Sequence, residues 1–295
     1  MPRTIQSKTI LNKTKKRDAW FLDDYTLNPY SGCSFNCLYC YIRGSKYGTY
    51  MEEKLSIKEN AVQLLEKQLA IKAKKGQHGF VVMSSATDPY LQFEKTFEIT
   101  RKLLEVMLKF HFPVHIITKS DLVERDFDLL KRIDESAILP EDLEVKLNRG
   151  ALITFSFSTI DDNTGFIFEP GATPASVRLK TLEKTSKAGF KTGVSLMPLL
   201  PYISDTPDAL DKMYAAFRDA GAQYIMPASL TLFGSGPHDS KTLMMRALTK
   251  YFPELVEKYS ALFRDGYSLA AAYQRKLSAI TRELNKKYAV PDRIV

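Results

Sequence analysis

The sequence predicts an α/β fold: a partial (β/α)6 TIM-like barrel of parallel strands with a C-terminal helical extension. Short β-branched or apolar runs alternate with amphipathic segments, a rhythm typical of parallel strands joined by crossover helices. Three cysteines follow the first of these strands, and the carboxyl ends of barrel strands are where such folds carry their sites. The strand pattern ends near residue 230, so the rest of the chain is assigned to helices.

Six strands and five intervening helices follow from the apolar pattern. The strands are predicted near residues 25–31, 79–84, 113–118, 151–157, 191–197 and 222–228. The helices are predicted near residues 57–74, 94–110, 122–133, 175–188 and 207–219, and a loop with a short helix is expected over 134–150. Gly189 and Pro207 suit a helix end and a helix start, in agreement with these boundaries.

Two of the predicted helices carry an apolar stripe at the 3.6-residue period of an α-helix. The stripes consist of Ile57, Val62, Leu65 and Leu69, and of Ile99, Leu103, Val106 and Phe110. We expect both stripes to face the core. Residues 240–288 are expected to form two or three further helices, whose aromatic side chains pack as a cap on the barrel.

The predicted organisation is a basic arm over residues 1–20, the barrel over 21–230 and the helical extension over 231–295. The composition, 44% hydrophobic and 26% charged, is that of an ordinary globular protein and excludes disorder and coiled coil. No apolar run approaches the roughly 18 residues of a membrane helix, and the first residues lack a signal-peptide core. A soluble cytoplasmic protein without a membrane partner is therefore expected.

The positive charge of the chain is concentrated at its start. The formal net charge is +8, and the first 17 residues contain six basic residues and no acid. These are Arg3, Lys8, Lys13, Lys15, Lys16 and Arg17. Such an arm can bind nucleic-acid phosphates, steer an acidic protein partner, or be a solvated terminus, and the sequence leaves all three open.

All three cysteines of the chain, Cys33, Cys37 and Cys40, fall in one segment with the spacing C-x3-C-x2-C. An odd number crowded into one segment excludes a disulfide framework. Structural zinc usually needs a fourth ligand, and the nearest histidine is His78. An iron-sulfur cubane held by three thiolates would keep one iron free for an outside ligand. Such a cluster is favoured, while zinc and three unrelated thiols remain alternatives.

The segment NPYSGCSFNCLYCY resembles the cluster motif of the radical S-adenosylmethionine (SAM) superfamily, and its flanks resemble the spore photoproduct lyase family. Three further blocks extend the similarity over most of residues 28–230: MSSATDPY at 83–90, ITKS at 117–120 and FEPGATPASVRLKTLEKTSKAGFKTGVSLMPLLP at 168–201. The C-terminal helices resemble those of relatives grouped as DNA repair photolyase-like.

The resemblance implies a 4Fe-4S cluster on Cys33, Cys37 and Cys40, with SAM bound at the free iron. It implies reductive cleavage of SAM to a 5′-deoxyadenosyl radical that abstracts hydrogen from a nucleic-acid or nucleotide substrate. A flavodoxin or ferredoxin is then the expected electron donor. The alternatives are the same chemistry on a peptide, protein or small metabolite, and a non-enzymatic metal-binding protein.

The resemblance also implies site residues. Tyr39 and Tyr41 bracket Cys40 and resemble the two tyrosines near the cofactor and the hydrogen-transfer path, so both are candidate catalytic and cofactor-binding residues. The other candidate cofactor contacts are Ser84, Ser85, Ala86, Lys119, Ser156, Ser158 and Met197. The Lys119 cation suits the SAM carboxylate, and the hydroxyls near residue 84 suit its ammonium. Glu169 and Arg178 lie in a matched block without an assigned contact.

One position departs from the lyase pattern. The lyase carries an additional cysteine that returns a hydrogen atom to the product radical, and Ser85 stands in its place here. An alcohol O–H bond is stronger than a thiol S–H bond, so serine cannot replace that cysteine. Thymine-dimer reversal by that route is therefore not expected, and a relay through Tyr39 or Tyr41 is the conjectured substitute.

Overall fold

The computed structural model describes residues 3–45, 55–83, 86–264 and 266–295. The strands are β1 Arg3–Ile5, β2 Leu11–Lys13, β3 Tyr25–Leu27, β4 Tyr30–Ser31, β5 Ser56–Lys58, β6 Val81–Met83, β7 Val114–Thr118, β8 Ala151–Phe157, β9 Lys191–Leu199 and β10 Ile225–Ser229. The helices are α1 Ala61–Lys74, α2 Glu94–Phe97, α3 Ile99–Lys109, α4 Phe127–Ser136, α5 Glu141–Leu147, α6 Asp162–Phe168, α7 Ala175–Lys187, α8 Pro207–Asp219, α9 Ser240–Tyr251, α10 Val256–Leu262 and α11 Ala271–Tyr288. Short 3-10 helices occupy Asp121–Asp126 and Pro253–Leu255.

The main sheet has the strand order β10-β9-β8-β7-β6-β3-β2. Its strands from β3 to β10 pair in parallel, and helices connect them. β2 joins the edge of the sheet antiparallel to β3, with Lys13 opposite Tyr25. The predicted partial (β/α)6 barrel is confirmed.

The first predicted strand, 25–31, is wrong as one element. Residues 25–27 form β3 in the barrel, whereas residues 30–31 form β4 in a separate sheet of order β1-β5-β4. The predicted start of the helix over 57–74 is also wrong, because its first residues belong to the same separate sheet. Ile57 lies in β5, paired with Thr4 and Tyr30, and α1 begins only at Ala61. Strand pairing with distant segments overrides the helical spacing that included Ile57.

The predicted helix over 94–110 is interrupted at Glu98, whose φ of 51° is left-handed. The break follows from a buried carboxylate. Glu94 Oε1 accepts a hydrogen bond from the backbone N of Thr100 at 2.7 Å, so it caps the first turn of α3. Glu94 also accepts from Tyr30 Oη and pairs with Arg125. These contacts anchor the segment that follows β6.

Two shorter helices occupy regions between the predicted elements. The short helix expected within 134–150 is confirmed as α5. The helix α6 was missed. Its N-cap is Asp161, whose Oδ1 accepts from Thr164 N at 2.7 Å. This capping signal is present in the sequence, but the helix spans only seven residues.

The lower part of the barrel, at the amino ends of the strands, is filled by side chains. A buried apolar cluster there includes Leu22, Phe80, Leu152, Tyr224 and Met226. This close packing requires glycine at position 193, because a Cβ there would lie 2.5 Å from the Tyr224 ring. The upper part, at the carboxyl ends, is left as a cavity.

The C-terminal helices pack against the barrel. α11 lies along α8, and its Leu277 and Leu284 belong to the main core. The aromatic packing expected of the extension holds for Tyr259 and Phe263, which are buried, whereas Tyr251 and Tyr267 are exposed. The division into arm, barrel and extension remains a prediction about folding units. Among the described residues, no helix combines the length and apolarity that crossing a membrane requires.

Candidate active site

A cavity of about 490 Å³ is lined by all three cysteines at the carboxyl end of the barrel and extends down to Phe21 and Asp23, which precede β3. Its walls come from the loop after β4 and from side chains of the strands. The strand side chains include Thr26, Val82, Ile117, Ser156, Ser195 and Met197. Ile117 and Lys119, like Ser195 and Met197, stand two residues apart, as the alternation of a strand requires for side chains that share one face.

The cysteine loop is held in place by backbone contacts with the segment after β8. Leu38 N donates to Phe168 O at 2.9 Å, and Gly171 N donates to Phe35 O at 3.0 Å. A Cβ on Gly171 would lie 2.1 Å from Ser34 O, so only glycine permits this approach. The buried Arg43 guanidinium donates from Nε to Cys37 O at 3.1 Å. The loop is therefore positioned by the barrel before any ligand binds.

The three cysteines are half-buried on the cavity wall, and the loss of hydration there raises the pKa of each thiol. The pKa of Cys33 rises to about 12, through burial and then the neighbouring Asp88 carboxylate. The pKa values of Cys37 and Cys40 also rise by burial, while the Lys119 cation acts in the opposite direction. A bound metal cation would reverse this balance and hold the sulfurs as thiolates.

The cysteines suit a cluster better than a single ion. Over the described ranges, no three Cys, His, Asp or Glu side chains converge closely enough to hold one metal ion. In a four-iron cubane each thiolate binds its own iron, so the three sulfurs do not need to meet at one point. The donor set of three thiols from one loop therefore fits the iron-sulfur cluster that the motif implies.

Lys119 extends into the cavity from the end of β7. Its Nζ donates to Ser156 Oγ at 2.7 Å and lies 5.9 Å from the centre of the Tyr39 ring. Within the described part of the chain, no carboxylate forms an ion pair with it. Its charge is thus available to an anionic group in the cavity.

Asp88 fixes the position of the Lys119 backbone at the end of β7. Its carboxylate accepts from Lys119 N and Thr118 Oγ1, each at 2.8 Å, and from Tyr90 N. Burial raises the pKa of Asp88 to about 6, although these hydrogen bonds favour the ionised form. The turn after β6 and the end of β7 are joined through this one side chain.

Tyr39 differs from Tyr41 in its surroundings. The Tyr39 ring lines the cavity, but its hydroxyl donates to Glu169 in the wall, and the side chain is buried. Tyr41 also lines the cavity and is 56% exposed, which puts it at the rim.

Glu169 and Arg178 form a buried ion pair behind the cavity wall, with Arg178 Nη2 donating to Glu169 Oε2. Burial alone would raise the pKa of Glu169, but the Arg178 and Lys119 charges hold it below its usual value. Glu169 Oε1 accepts from Ser158 Oγ at 2.8 Å as well as from Tyr39. The sequence grouped these two residues in one matched block, but spacing alone does not reveal a buried pair.

The remaining sequence-predicted residues are only partly brought together. Ser156 and Met197 line the cavity, and so does Ala86, whose N donates to Asn28 Oδ1 at 2.9 Å. Ser158 is directed to Glu169 instead of lining the cavity. Ser84 and Ser85 lie outside the described residues.

Several cavity residues were missed by sequence reasoning. Thr87 lines the cavity, and its buried Oγ1 has no hydrogen-bond partner among the described residues. Ser195, Ser229 and Thr231 add hydroxyls from β9, β10 and the segment after β10, and Asp23 adds a carboxylate. The alternation of β9 could have identified Ser195, because it stands two residues before Met197. Thr87 lies in the matched block at 83–90, whose hydroxyls suit the SAM ammonium, but it was not among the residues predicted to contact SAM.

The fold and the cysteine-lined cavity together define a class of protein. The sequence profile of the radical SAM superfamily matches residues 27–213, most of the chain, so the chain belongs to this superfamily. An uncharacterised protein of Mycobacterium tuberculosis is 27% identical over 290 residues, covering 96% of this chain and 80% of that protein. One of Methanocaldococcus jannaschii is 30% identical over 208 residues, covering 68% of each chain.

The fold is similar to that of solved structures of spore photoproduct lyase. Spore photoproduct lyase with a dinucleoside spore photoproduct aligns with a TM-score of 0.64 and 15% identity, covering 96% of this chain and 78% of the lyase. A lyase variant with bound AdoMet and the dinucleoside gives 0.63 at 16% identity, covering 92% of this chain and 76% of the lyase. The chain is a radical SAM enzyme with a spore photoproduct lyase-like fold.

Proposed function

We propose that the chain holds a 4Fe-4S cluster through Cys33, Cys37 and Cys40, binds SAM in the same cavity, and acts on a nucleic acid or nucleotide. One observation carries the proposal. The three thiols share a cavity with Lys119, the single cation that we find among its described lining residues. Three sulfurs from one loop and a cation for a carboxylate are what a cluster with an amino-acid-bearing ligand requires.

When bound, the cluster and SAM supply an electron and a 5′-deoxyadenosyl radical that abstracts hydrogen from the substrate. The protein supplies orientation. Lys119 is proposed to bind the SAM carboxylate through its amine. Ser156 Oγ, which accepts a hydrogen bond from this amine, is proposed to hold it in position. The hydroxyls of Ser84 and Ser85 and the backbone at Ala86 are proposed to receive the SAM ammonium, and Met197 to contact the adenine.

Tyr39 and Tyr41 are proposed to act differently. The Tyr39 hydroxyl is engaged by Glu169, which supports a role for its ring in covering the cluster and excluding water. Tyr41 at the rim is better placed to give its O–H hydrogen atom to a substrate radical, leaving a tyrosyl radical. This assignment provides the hydrogen donor that Ser85 cannot be.

The nucleic-acid substrate is supported by the matched sequence blocks and by the lyase, whose bound ligand is a dinucleoside. A peptide or small metabolite is the second candidate. It is favoured by the cavity itself, whose described lining is mainly apolar and hydroxyl-bearing, with Lys119 as its cation. A flavodoxin or ferredoxin donor and a cytoplasmic location complete the proposal.

The test is anaerobic reconstitution with iron and sulfide, followed by addition of a strong reductant and SAM. We expect about four irons per chain and formation of 5′-deoxyadenosine. Bound zinc, or iron without any 5′-deoxyadenosine, would contradict the proposal. Deuterium transfer into 5′-deoxyadenosine from labelled nucleic-acid or metabolite fractions then separates the two substrate classes.

A further inference from the structure

A second cleft, here called the rear cleft, gathers the basic residues of the N-terminal segment. It has a volume of about 310 Å³. Its lining includes Lys13, Lys15, Lys16, Arg17, Tyr25 and His78. The segment is part of the fold, because Lys13 belongs to β2 and Thr14 N donates to Asp24 O at 3.1 Å.

The rear cleft lies at the opposite end of the strands from the cysteines. Lys13 is level with Tyr25 at the start of β3, and the register continues through Val81 to Val114. Lys119 in the cavity stands five residues beyond Val114. At about 3.3 Å per residue, the two sites are separated by about 16 Å along the strands, in addition to the lateral distance.

Among the described residues, ion pairs neutralise just part of the charge of the rear cleft. Lys13, Lys15 and Lys16 are exposed, and none of them forms an ion pair there. Arg17 is paired, to Asp24 at 2.8 Å and to Asp142.

Lys72 in α1 and Lys75 just after it add to this charge. The Lys72 amine lies 4.8 Å from the centre of the Tyr25 ring. Its pKa is lowered by burial and by the charges of Lys13 and Lys75, so like charges are crowded at this place.

Local structural roles account for only part of this cluster. Lys72 is in the last turn of α1, where a cation complements the helix dipole. Lys13 is on an edge strand, where lysine discourages pairing with another chain. Neither reason applies to Lys15 and Lys16, which follow the strand and line the same cleft.

We propose that the rear cleft binds the phosphate backbone of a nucleic acid. The proposal rests on the nucleic-acid form of the proposed function, to which it adds a binding surface outside the cavity. The lining has four cations, a histidine and one carboxylate, Asp24, which Arg17 pairs, but no aliphatic side chain. Its one phenol ring, Tyr25, is covered by Lys72 and donates its hydroxyl to Gln77 O at 3.0 Å.

This lining favours nucleic acid over an acidic protein. Protein interfaces centre on apolar or aromatic anchors, whereas phosphate contacts need only cations and hydrogen-bond donors. The separation from Lys119 adds a length requirement. A backbone held in the rear cleft must continue for about five nucleotides, at about 3.4 Å each, before it reaches the level of Lys119.

The experiment compares two triple variants of the full-length reconstituted protein. The test variant is K13Q/K15Q/K16Q. The matched control is K95Q/K102Q/K131Q, which neutralises three exposed lysines on the outer helices. Binding of a fluorescent 12-nucleotide single strand and of a dinucleotide is followed by anisotropy over a series of salt concentrations. Size-exclusion chromatography and circular dichroism establish that both variants are folded monomers of equal size.

For the 12-nucleotide strand, the test variant is expected to bind at least tenfold more weakly at low salt. The slope of log Kd against log salt falls by about two, at about 0.7 per lost phosphate contact on a single strand. The control variant keeps the wild-type values, and the dinucleotide binds all three proteins equally.

Unchanged affinity and slope in K13Q/K15Q/K16Q would overturn the proposal. Displacement of the strand by polyglutamate as effectively as by unlabelled DNA would also overturn it, in favour of an acidic protein partner. Formation of 5′-deoxyadenosine is measured in parallel and is expected to be unchanged. If no protein forms 5′-deoxyadenosine and the test variant alone binds DNA more weakly, the proposed function is rejected. The proposal that the rear cleft binds nucleic acid is then retained.

Discussion

The amino end and the carboxyl end of the barrel both contain buried polar side chains, but only one end provides each of them with partners. At the amino end, His115 bonds to Phe21 O at 2.7 Å and to Thr154 Oγ1 at 2.6 Å. Thr154 in turn bonds to Tyr224 Oη at 2.6 Å. At the carboxyl end, the buried Ser34 Oγ and Thr87 Oγ1 have no partner among the described residues.

A buried polar group without a hydrogen bond costs about 1–3 kcal/mol. The amino end avoids this cost and is built for stability, as the apolar packing around Tyr224 also indicates. The carboxyl end has this cost and also carries three thiols and the Lys119 ammonium, which has no ion-pair partner among the described residues. The difference indicates that the carboxyl end is completed by ligands, and the two ends should respond differently to substitution.

The largest effect is expected at the cysteines. Replacing Cys33, Cys37 or Cys40 by alanine removes a ligand that no other cysteine can supply. We expect loss of the visible absorption of the cluster and of 5′-deoxyadenosine formation. S34A, which changes the residue next to Cys33 but leaves all three thiols in place, should keep the cluster absorption. A cysteine variant that keeps its absorption would show that the ligands are wrongly assigned.

The next effect is expected at the buried pair behind the cavity. E169Q leaves the Arg178 guanidinium without a counterion in a site where it is 1% exposed. Breaking such a pair costs about 3–5 kcal/mol, which we expect as a loss in the free energy of unfolding measured with urea. The double variant E169Q/R178M should recover most of it. Exposed ion pairs contribute up to about 1 kcal/mol. A loss below this value would contradict the assignment of Glu169 and Arg178 as a buried ion pair that stabilises the fold.

A smaller effect is expected at Lys119. K119M keeps the aliphatic part of the side chain but removes the charge that we assign to the SAM carboxylate. A hydrogen bond to a charged group contributes about 1.5–3 kcal/mol, so Kd for SAM should rise about 10- to 150-fold. Calorimetry on the reconstituted protein measures this, and K119R should restore part of the affinity. Equal Kd values for wild type and K119M would remove Lys119 from the SAM site.

The smallest effect is expected at the amino end and depends on pH. Burial lowers the pKa of His115 to about 4 in the folded protein, below its unfolded value of 6.5. The unfolded chain therefore binds the proton more readily, and stability is lost as the pH falls from 6.5 towards 4. Between pH 8 and pH 5, wild type should lose about 2 kcal/mol through this group.

The variant H115Q, which has no titrating ring, should lack this component. Unfolding by urea at both pH values isolates it, because other titrating groups contribute equally to the two proteins. Equal losses in wild type and H115Q would mean that His115 is not kept neutral by the fold.

The barrel could be predicted because its strands are local apolar runs with turn signals between them. Elements that depend on distant partners could not. β5 forms because residues 56–58 pair with β1 and β4. The helix over 94–110 breaks because Glu94, which Tyr30 and Arg125 hold, caps α3. Lys13, within the predicted basic arm, lies in an edge strand of the sheet.

The site shows the same limit. The motif identified Cys33, Cys37 and Cys40, and the matched blocks brought Lys119 and Met197 to the same cavity. The partners of Glu169 could not be inferred, because Tyr39 is 130 residues distant in the chain. Hydroxyls such as Thr87 become informative only once burial and hydrogen bonding are known.

The central claim is that the three cysteines leave one iron for SAM in this cavity. Electron-nuclear double resonance on the reduced, reconstituted protein tests it directly, with SAM labelled with ¹⁵N at the amino group. The account predicts a hyperfine coupling from that nitrogen to the cluster, which weakens in K119M at limiting SAM. A cluster signal with no nitrogen coupling at saturating SAM would contradict it.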